Sequence, residues 1–188
     1  MEIPNIQPIV DIATLVMYTG GLKDRIPVSA LLCAVPDRGK TRWIMERFLG
    51  NRGVHRTDMA TRIGLVKWLF KPGQEHWREL HHLIIPDLTA VFGHDHANDT
   101  LESFLQTLTY DGAKDYHSLH LPSINVPYPV TIGLLGGIVP DTIHHRKKQW
   151  ERGGFSRRFL PISYSYTAAQ VRNLQELSIK GRTIKPSP

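Results

Sequence analysis

The chain alternates short apolar runs with longer stretches in which apolar residues recur every three or four positions, the layout of strands separated by helices. Leu31-Leu32-Cys33-Ala34-Val35 is short and apolar enough for a buried strand. Leu83-Ile84-Ile85, the run 129–140 and Phe159-Leu160 with Ile162 predict three more, and 54–57 predicts a short one after the turn Gly50-Asn51-Arg52-Gly53. Helical spacing marks 9–18, stopped by Gly20-Gly21, and 41–49, with Ile44, Phe48 and Leu49 inward. It marks 59–70 as well, with Ile63, Val66, Leu69 and Phe70 on one face and Thr57 or Asp58 as the cap. A fourth helical stripe, Leu101, Phe104, Leu105 and Leu108, lies in 100–110. Residues 111–115 read as a turn, 117–126 as an irregular edge hairpin or loop, and Asp141 as the cap of a short basic helix.

At 188 residues the chain suits one well-filled α/β domain rather than two. The pattern divides it into an N-terminal arm and helix (1–27), a core (28–168) and a basic tail (169–188). No apolar run approaches the about 18 residues of a membrane span, and Met1-Glu2-Ile3-Pro4-Asn5 lacks the layout of a signal peptide. Together with a single cysteine, Cys33, this leads to the expectation of a cytoplasmic protein without a membrane partner. The net charge of +6 permits a polyanionic partner. Within 144–158, Arg146, Lys147, Lys148, Arg152, Arg157 and Arg158 face only Glu151, with Trp150 and Phe155 among them. That segment reads as a solvated helix and turn, as a DNA or RNA contact, or as phosphate-facing arginines.

The candidate chemistry starts at the first strand. Ala34-Val35-Pro36-Asp37-Arg38-Gly39-Lys40-Thr41 follows an apolar run and leads into a helical pattern, the order a phosphate-binding loop requires, with Ala34 where glycine is usual. Backbone N–H groups there favour phosphate, Lys40 can reach the β- and γ-phosphates, and the Thr41 hydroxyl can ligate Mg²⁺. An ordinary strand-to-helix turn carrying a surface lysine is the plain alternative. Downstream, Leu83-Ile84-Ile85-Pro86-Asp87 puts an aspartate at a strand end, where a carboxylate can hold Mg²⁺; it can equally cap a helix or turn. Leu88 stands where hydrolytic relatives of this pattern place a glutamate, and Asp95, Asp99 and Glu102 are the downstream carboxylates that could replace it. His94-Asp95-His96 lacks further ligands at zinc spacing and reads as a surface loop. The adjacent Gly136 and Gly137 permit close approach of a ligand or a neighbouring element.

These motifs, with Gly136-Gly137-Ile138-Val139-Pro140 and Gly154-Phe155-Ser156-Arg157-Arg158-Phe159-Leu160, resemble the P-loop ATPase core of AAA+ and RecA-like proteins, including helicase-like ATPases of phages and mobile elements, over residues 9–165. The resemblance implies an α/β fold of three layers, with a central, mostly parallel sheet flanked by helices. It implies ATP held by Ala34, Pro36, Asp37, Arg38, Gly39, Lys40 and Thr41, and Mg²⁺ held by Thr41 and Asp87. It also implies a homo-oligomeric ring or filament in which an arginine completes a neighbour's site, Arg158 first and Arg157 in reserve, beside Lys40 and Asp87 as the catalytic set. Three functions follow as expectations: an ATP-hydrolysing motor or switch on nucleic acid; a nucleotide-controlled assembly protein with slow or no hydrolysis; and a basic nucleic-acid-binding module with a vestigial loop.

Overall fold

A computed structural model describes residues 5–58, 60–71, 73–92, 99–118 and 121–179. Its strands are β1 (Ser29–Cys33), β2 (Val54–Arg56), β3 (His82–Ile85), β4 (Ala113–Ser118), β5 (Leu121–Val130), β6 (Gly133–Ile138) and β7 (Phe159–Ser163). Its helices are α1 (Gln7–Tyr18), α2 (Arg62–Leu69), α3 (Leu88–Phe92), α4 (Asp99–Gln106), α5 (Pro140–Gly153) and α6 (Ala168–Ile179). Five strands make one all-parallel sheet in the order β2-β3-β6-β1-β7. Every residue of β1, β3 and β6 is buried, as parallel strands covered on both faces must be.

The two faces carry separate cores. Ala30, Leu32, Ile84, Leu135 and Ile162 meet α1, the helical segment 40–48 and Leu174 of α6. Leu31, Cys33, Leu83, Ile85, Leu134 and Ile138 meet α2, α3, α4 and α5. The alternation is the period-2 geometry of a strand. From β1 the chain crosses over one face to β2, then works back to β3, β6 and β7 over the other. This reversal puts a topological switch point at the C-terminal end of β1.

Several local expectations are corrected. Residues 41–49 form no regular α-helix: Lys40–Ile44 is a wide π turn and Met45–Phe48 a tight 3₁₀ turn, a change of pitch that buries the consecutive Ile44 and Met45 together. Leu49, expected inward, leaves in an extended conformation and is exposed. Helix α2 is capped by Thr61, whose hydroxyl accepts from Gly64 N at 3.0 Å, and it buries Leu65 with Val66 and Leu69 while Ile63 is exposed. The run 129–140 is two elements, the end of β5 and all of β6, and the turn expected at 111–115 already contains the start of β4. Strands β4 and β5 pair antiparallel, with register irregularities, as a separate two-stranded sheet. Pro122, Pro127 and Pro129 are tolerated there because β5 has a single partner. Helix α5 spans 14 residues with Val139 as its N-cap and Pro140 in its first turn, so Asp141 lies inside it rather than capping it. Among the described residues no helix is long and apolar enough to cross a membrane.

Gly137 lies where β6 passes the end of β3. A Cβ there would run into the Pro86 carbonyl oxygen, and one on Gly136 would strike Leu88. Gly137→Ala should therefore destabilise the protein by about 1–3 kcal/mol, measured by urea unfolding, whereas Gly21→Ala, with open space around its Cβ, should change little.

At the opposite edge of the sheet His82 is fully buried, with Nε2 3.0 Å from Val28 O and Nδ1 2.8 Å from His81 Nδ1. Burial lowers its pKa from 6.5 to about 4, the Val28 carbonyl opposing and His81 assisting. The unfolded chain thus binds the extra proton first, and this contribution to stability, complete above pH 6.5, is lost as the pH falls towards 4. Urea unfolding at pH 7 and pH 4.5 should show about 2–3 kcal/mol more loss in wild type than in His82→Gln.

Candidate functional site

Because β1, β6 and β3 are parallel neighbours, the residues that follow them emerge together on one edge of the sheet. Loop 34–39, Val139 and Pro86-Asp87 meet there, and with α6 they enclose a cleft of about 690 Å³. Pro36, Asp37, Arg38, Gly39, Lys40 and Thr41 all line it, and Asp87 faces them. Ala34 does not: it is buried beneath the loop, its N–H donating to Ile138 O at 3.2 Å.

The loop holds two left-handed residues, Asp37 (φ 58°) and Gly39 (φ 74°), separated by Arg38. Alternation of hand in a short turn gathers successive N–H groups into a concavity suited to an anion. Lys40 Nζ donates to Ala34 O at 2.6 Å and Val35 O at 3.2 Å, so the lysine folds over the strand end and ties the loop to it. Burial pushes its pKa down, while Asp87, Cys33 and Asp37 act in the other direction, Asp87 most strongly. The segment after β7 braces the far side of the loop. Tyr164 N donates to Cys33 O at 3.3 Å, the Tyr164 hydroxyl to Arg38 O at 3.4 Å, and Arg38 Nη1 to Tyr166 O at 3.4 Å. Burial pushes the Tyr166 phenol up to about 12 against the pull of Arg38, so it stays neutral at physiological pH.

Asp87 takes the capping role that the sequence left open to it, and does so with one of its two oxygens. Its Oδ1 accepts from Thr89 N at 2.9 Å and Ala90 N at 3.3 Å, opening α3, and its Oδ2 takes no hydrogen bond among the described residues. That oxygen and the Thr41 hydroxyl are hard donors on one cleft, which fits Mg²⁺, a cation that takes one or two protein oxygens and completes its octahedron with phosphate and water. No group of three or more His, Cys, Asp or Glu able to hold a metal occurs among the described residues.

Other candidates are placed away from this chemistry. Leu88 is fully buried. Glu102 is buried too, accepting from Trp150 Nε1 at 3.1 Å and pairing with Arg146 at 3.6 Å, so it belongs to the core under α5. Asp99 opens α4, while Asp95 and the His94-Asp95-His96 loop lie outside the described residues. The close approach allowed by Gly136 and Gly137 is used by Leu88 and Pro86, not left for a ligand.

Arg158 precedes β7, whose Phe159 pairs with Ser29 at the start of β1, so it stands one strand length, about 15 Å, from the cleft edge of its own chain. It donates to Gly154 O at 2.9 Å and approaches Asp111 at 3.5 Å, closing the end of α5; Arg157 beside it is exposed. Within the basic segment Arg146 is buried and donates to Phe92 O at 2.7 Å. Trp150 and Phe155 are buried core residues that meet Phe92 edge to face and so are closed to base stacking. His144, His145, Lys147, Lys148 and Arg152 make the exposed basic face.

What the sequence reading missed is α6. The basic tail read from residue 169 onward begins instead as a helix, Ala168–Ile179, whose Leu174, Gln175 and Ile179 line the cleft; residues 180–188 lie outside the described residues. The signal was present. Thr167 N donates to Gln170 Oε1 at 3.0 Å and Gln170 N to Thr167 Oγ1 at 3.3 Å, a capping box written as Thr-x-x-Gln.

Neither a protein-family model nor a curated protein matches the chain.

Because Glu102 neutralises a buried guanidinium, Glu102→Ala should cost about 3–5 kcal/mol of stability in urea unfolding, and any loss of activity in that variant should track the unfolded fraction.

Proposed function

We propose that the chain binds ATP with Mg²⁺ in the cleft between the loop and Asp87, and works as an oligomeric motor or switch on nucleic acid in the manner of the P-loop ATPase core. One observation carries this reading: Lys40, Thr41 and Asp87, brought from two separate strand ends, share a cleft at the switch point of a parallel sheet, where ligands of open α/β sheets bind. In this reading the loop N–H groups cradle the β-phosphate and Lys40 swings from the Ala34 and Val35 carbonyls to the β- and γ-phosphates. Thr41 and the free oxygen of Asp87 hold Mg²⁺, which when bound neutralises the phosphates. The exposed cations of α5 offer the nucleic-acid contact, of a backbone-binding kind because the aromatic rings beside them are buried. Of the two arginines, Arg157 suits a neighbour's phosphates better, since Arg158 is engaged within its own chain.

The second reading, nucleotide-controlled assembly with slow or no hydrolysis, is favoured by Leu88: the position after Asp87 holds a buried aliphatic side chain that cannot orient water. Mg·ATP turnover with and without single- and double-stranded DNA, beside Lys40→Ala, separates the two. A motor predicts turnover that rises with DNA and falls by at least about a hundredfold in Lys40→Ala. Nucleotide-dependent assembly without DNA-stimulated turnover supports the second reading. Absence of both turnover and nucleotide binding in wild type leaves only a basic nucleic-acid-binding module.

A further inference from the structure

The cleft has two ends, and they differ in chemistry. Across the sheet the strands run β3, β6, β1, β7, so the cleft passes from Asp87 after β3, over the loop after β1, to α6, which follows β7. Three strand spacings make this about 14 Å. If phosphates occupy the loop and the cation sits at Asp87, the end left for the nucleoside is the one walled by α6. That wall is apolar with one amide: Leu174, Gln175 and Ile179. Gln175 and Ile179 are four residues apart and share a helix face. Leu174 is anchored in the core, and the capping box together with the Arg38 to Tyr166 hydrogen bond fixes where the helix starts relative to the loop.

We infer that α6 is the base-binding wall of the site and that Gln175 selects adenine. This rests on the nucleotide reading of the cleft. A carboxamide presents a donor beside an acceptor, which matches the N6 donor and N7 acceptor of adenine, whereas guanine offers two acceptors, O6 and N7, on the same edge. Ile179, exposed at the rim, supplies apolar cover for the ring, and Leu174 holds the helix against the sheet beneath it. No hydrogen bond joins Gln175 to the loop or to Asp87 among the described residues, so its contribution is separable from phosphate and cation binding.

The test is equilibrium binding of Mg·ATP, Mg·GTP and Mg·tripolyphosphate to wild type, Gln175→Ala and Lys40→Ala. Wild type should prefer ATP to GTP. Gln175→Ala should bind ATP about five- to tenfold more weakly, bind tripolyphosphate as wild type does, and lose most of the preference over GTP; Lys40→Ala should weaken all three ligands. Unchanged ATP affinity in Gln175→Ala, or equal loss of ATP and tripolyphosphate, would overturn the assignment of Gln175 while leaving the phosphate site intact. Failure of wild type to bind either ATP or tripolyphosphate would overturn the nucleotide reading itself.

Discussion

The structure depends on the burial of β1 between β6 and β7 with both of its faces covered. A strand in that position has its backbone paired on both sides and its side chains committed to two cores, so the chain can leave it only at the edge of the sheet. It leaves there into a loop whose left-handed Asp37 and Gly39 turn it back along one face. Everything placed around the loop is a consequence of the strand order around β1: Val139 after its neighbour β6, Tyr164 after its neighbour β7, and Asp87 after β3, one strand beyond β6. These three connections cost the sheet little, because each begins where its strand has ended. The glycines of β6 belong to the same constraint, since the Pro86 carbonyl and Leu88 can close on β6 only where no Cβ stands.

Charge is distributed to match. Buried cations are paired, Arg146 with Glu102 and the Phe92 carbonyl, and these serve the core. Around the loop the balance is different. Arg38 and Lys40 hold carbonyl oxygens rather than carboxylates, and one oxygen of Asp87 accepts no hydrogen bond among the described residues. Hydrogen bonds to carbonyls occupy the donors of Lys40 without a close ion pair among the described residues, and Asp87 and Asp37 favour its charge only from beyond salt-bridge distance. An anion entering the cleft can therefore take over these donors without first breaking an ion pair.

Much of this was legible in the sequence. The apolar runs were read from spacing alone: Leu83-Ile84-Ile85 lies in β3, the run 31–35 holds the end of β1, which starts earlier at Ser29 and leaves Val35 exposed, and the stripe Leu101, Phe104, Leu105 and Leu108 is buried as its spacing required. The central parallel sheet that the resemblance implied is present. What spacing could not convey was pitch and partnership. The segment 40–48 carries a helical pattern, yet packing of the adjacent Ile44 and Met45 on one sheet face forces it through a π turn and a 3₁₀ turn. Glu102 had the position of a catalytic carboxylate in the chain, and only the fold shows that it is taken by Trp150 and Arg146. Arg158 was read for its charge, and its donors turn out to close the end of α5. The C-terminal helix was missed because basic and proline-rich composition beyond it outweighed a capping box that composition does not register.

The central claim is that the loop and Asp87 form one site for a nucleoside triphosphate and its cation. Calorimetric titration of ATP into wild type and Asp87→Asn, each with and without Mg²⁺, tests it most directly. The account predicts that Mg²⁺ tightens ATP binding to wild type by about tenfold or more, and that Asp87→Asn binds ATP alone about as well but loses most of that Mg²⁺-dependent gain. ATP binding that is indifferent to Mg²⁺ in wild type, or an Mg²⁺ gain that survives intact in Asp87→Asn, would contradict it.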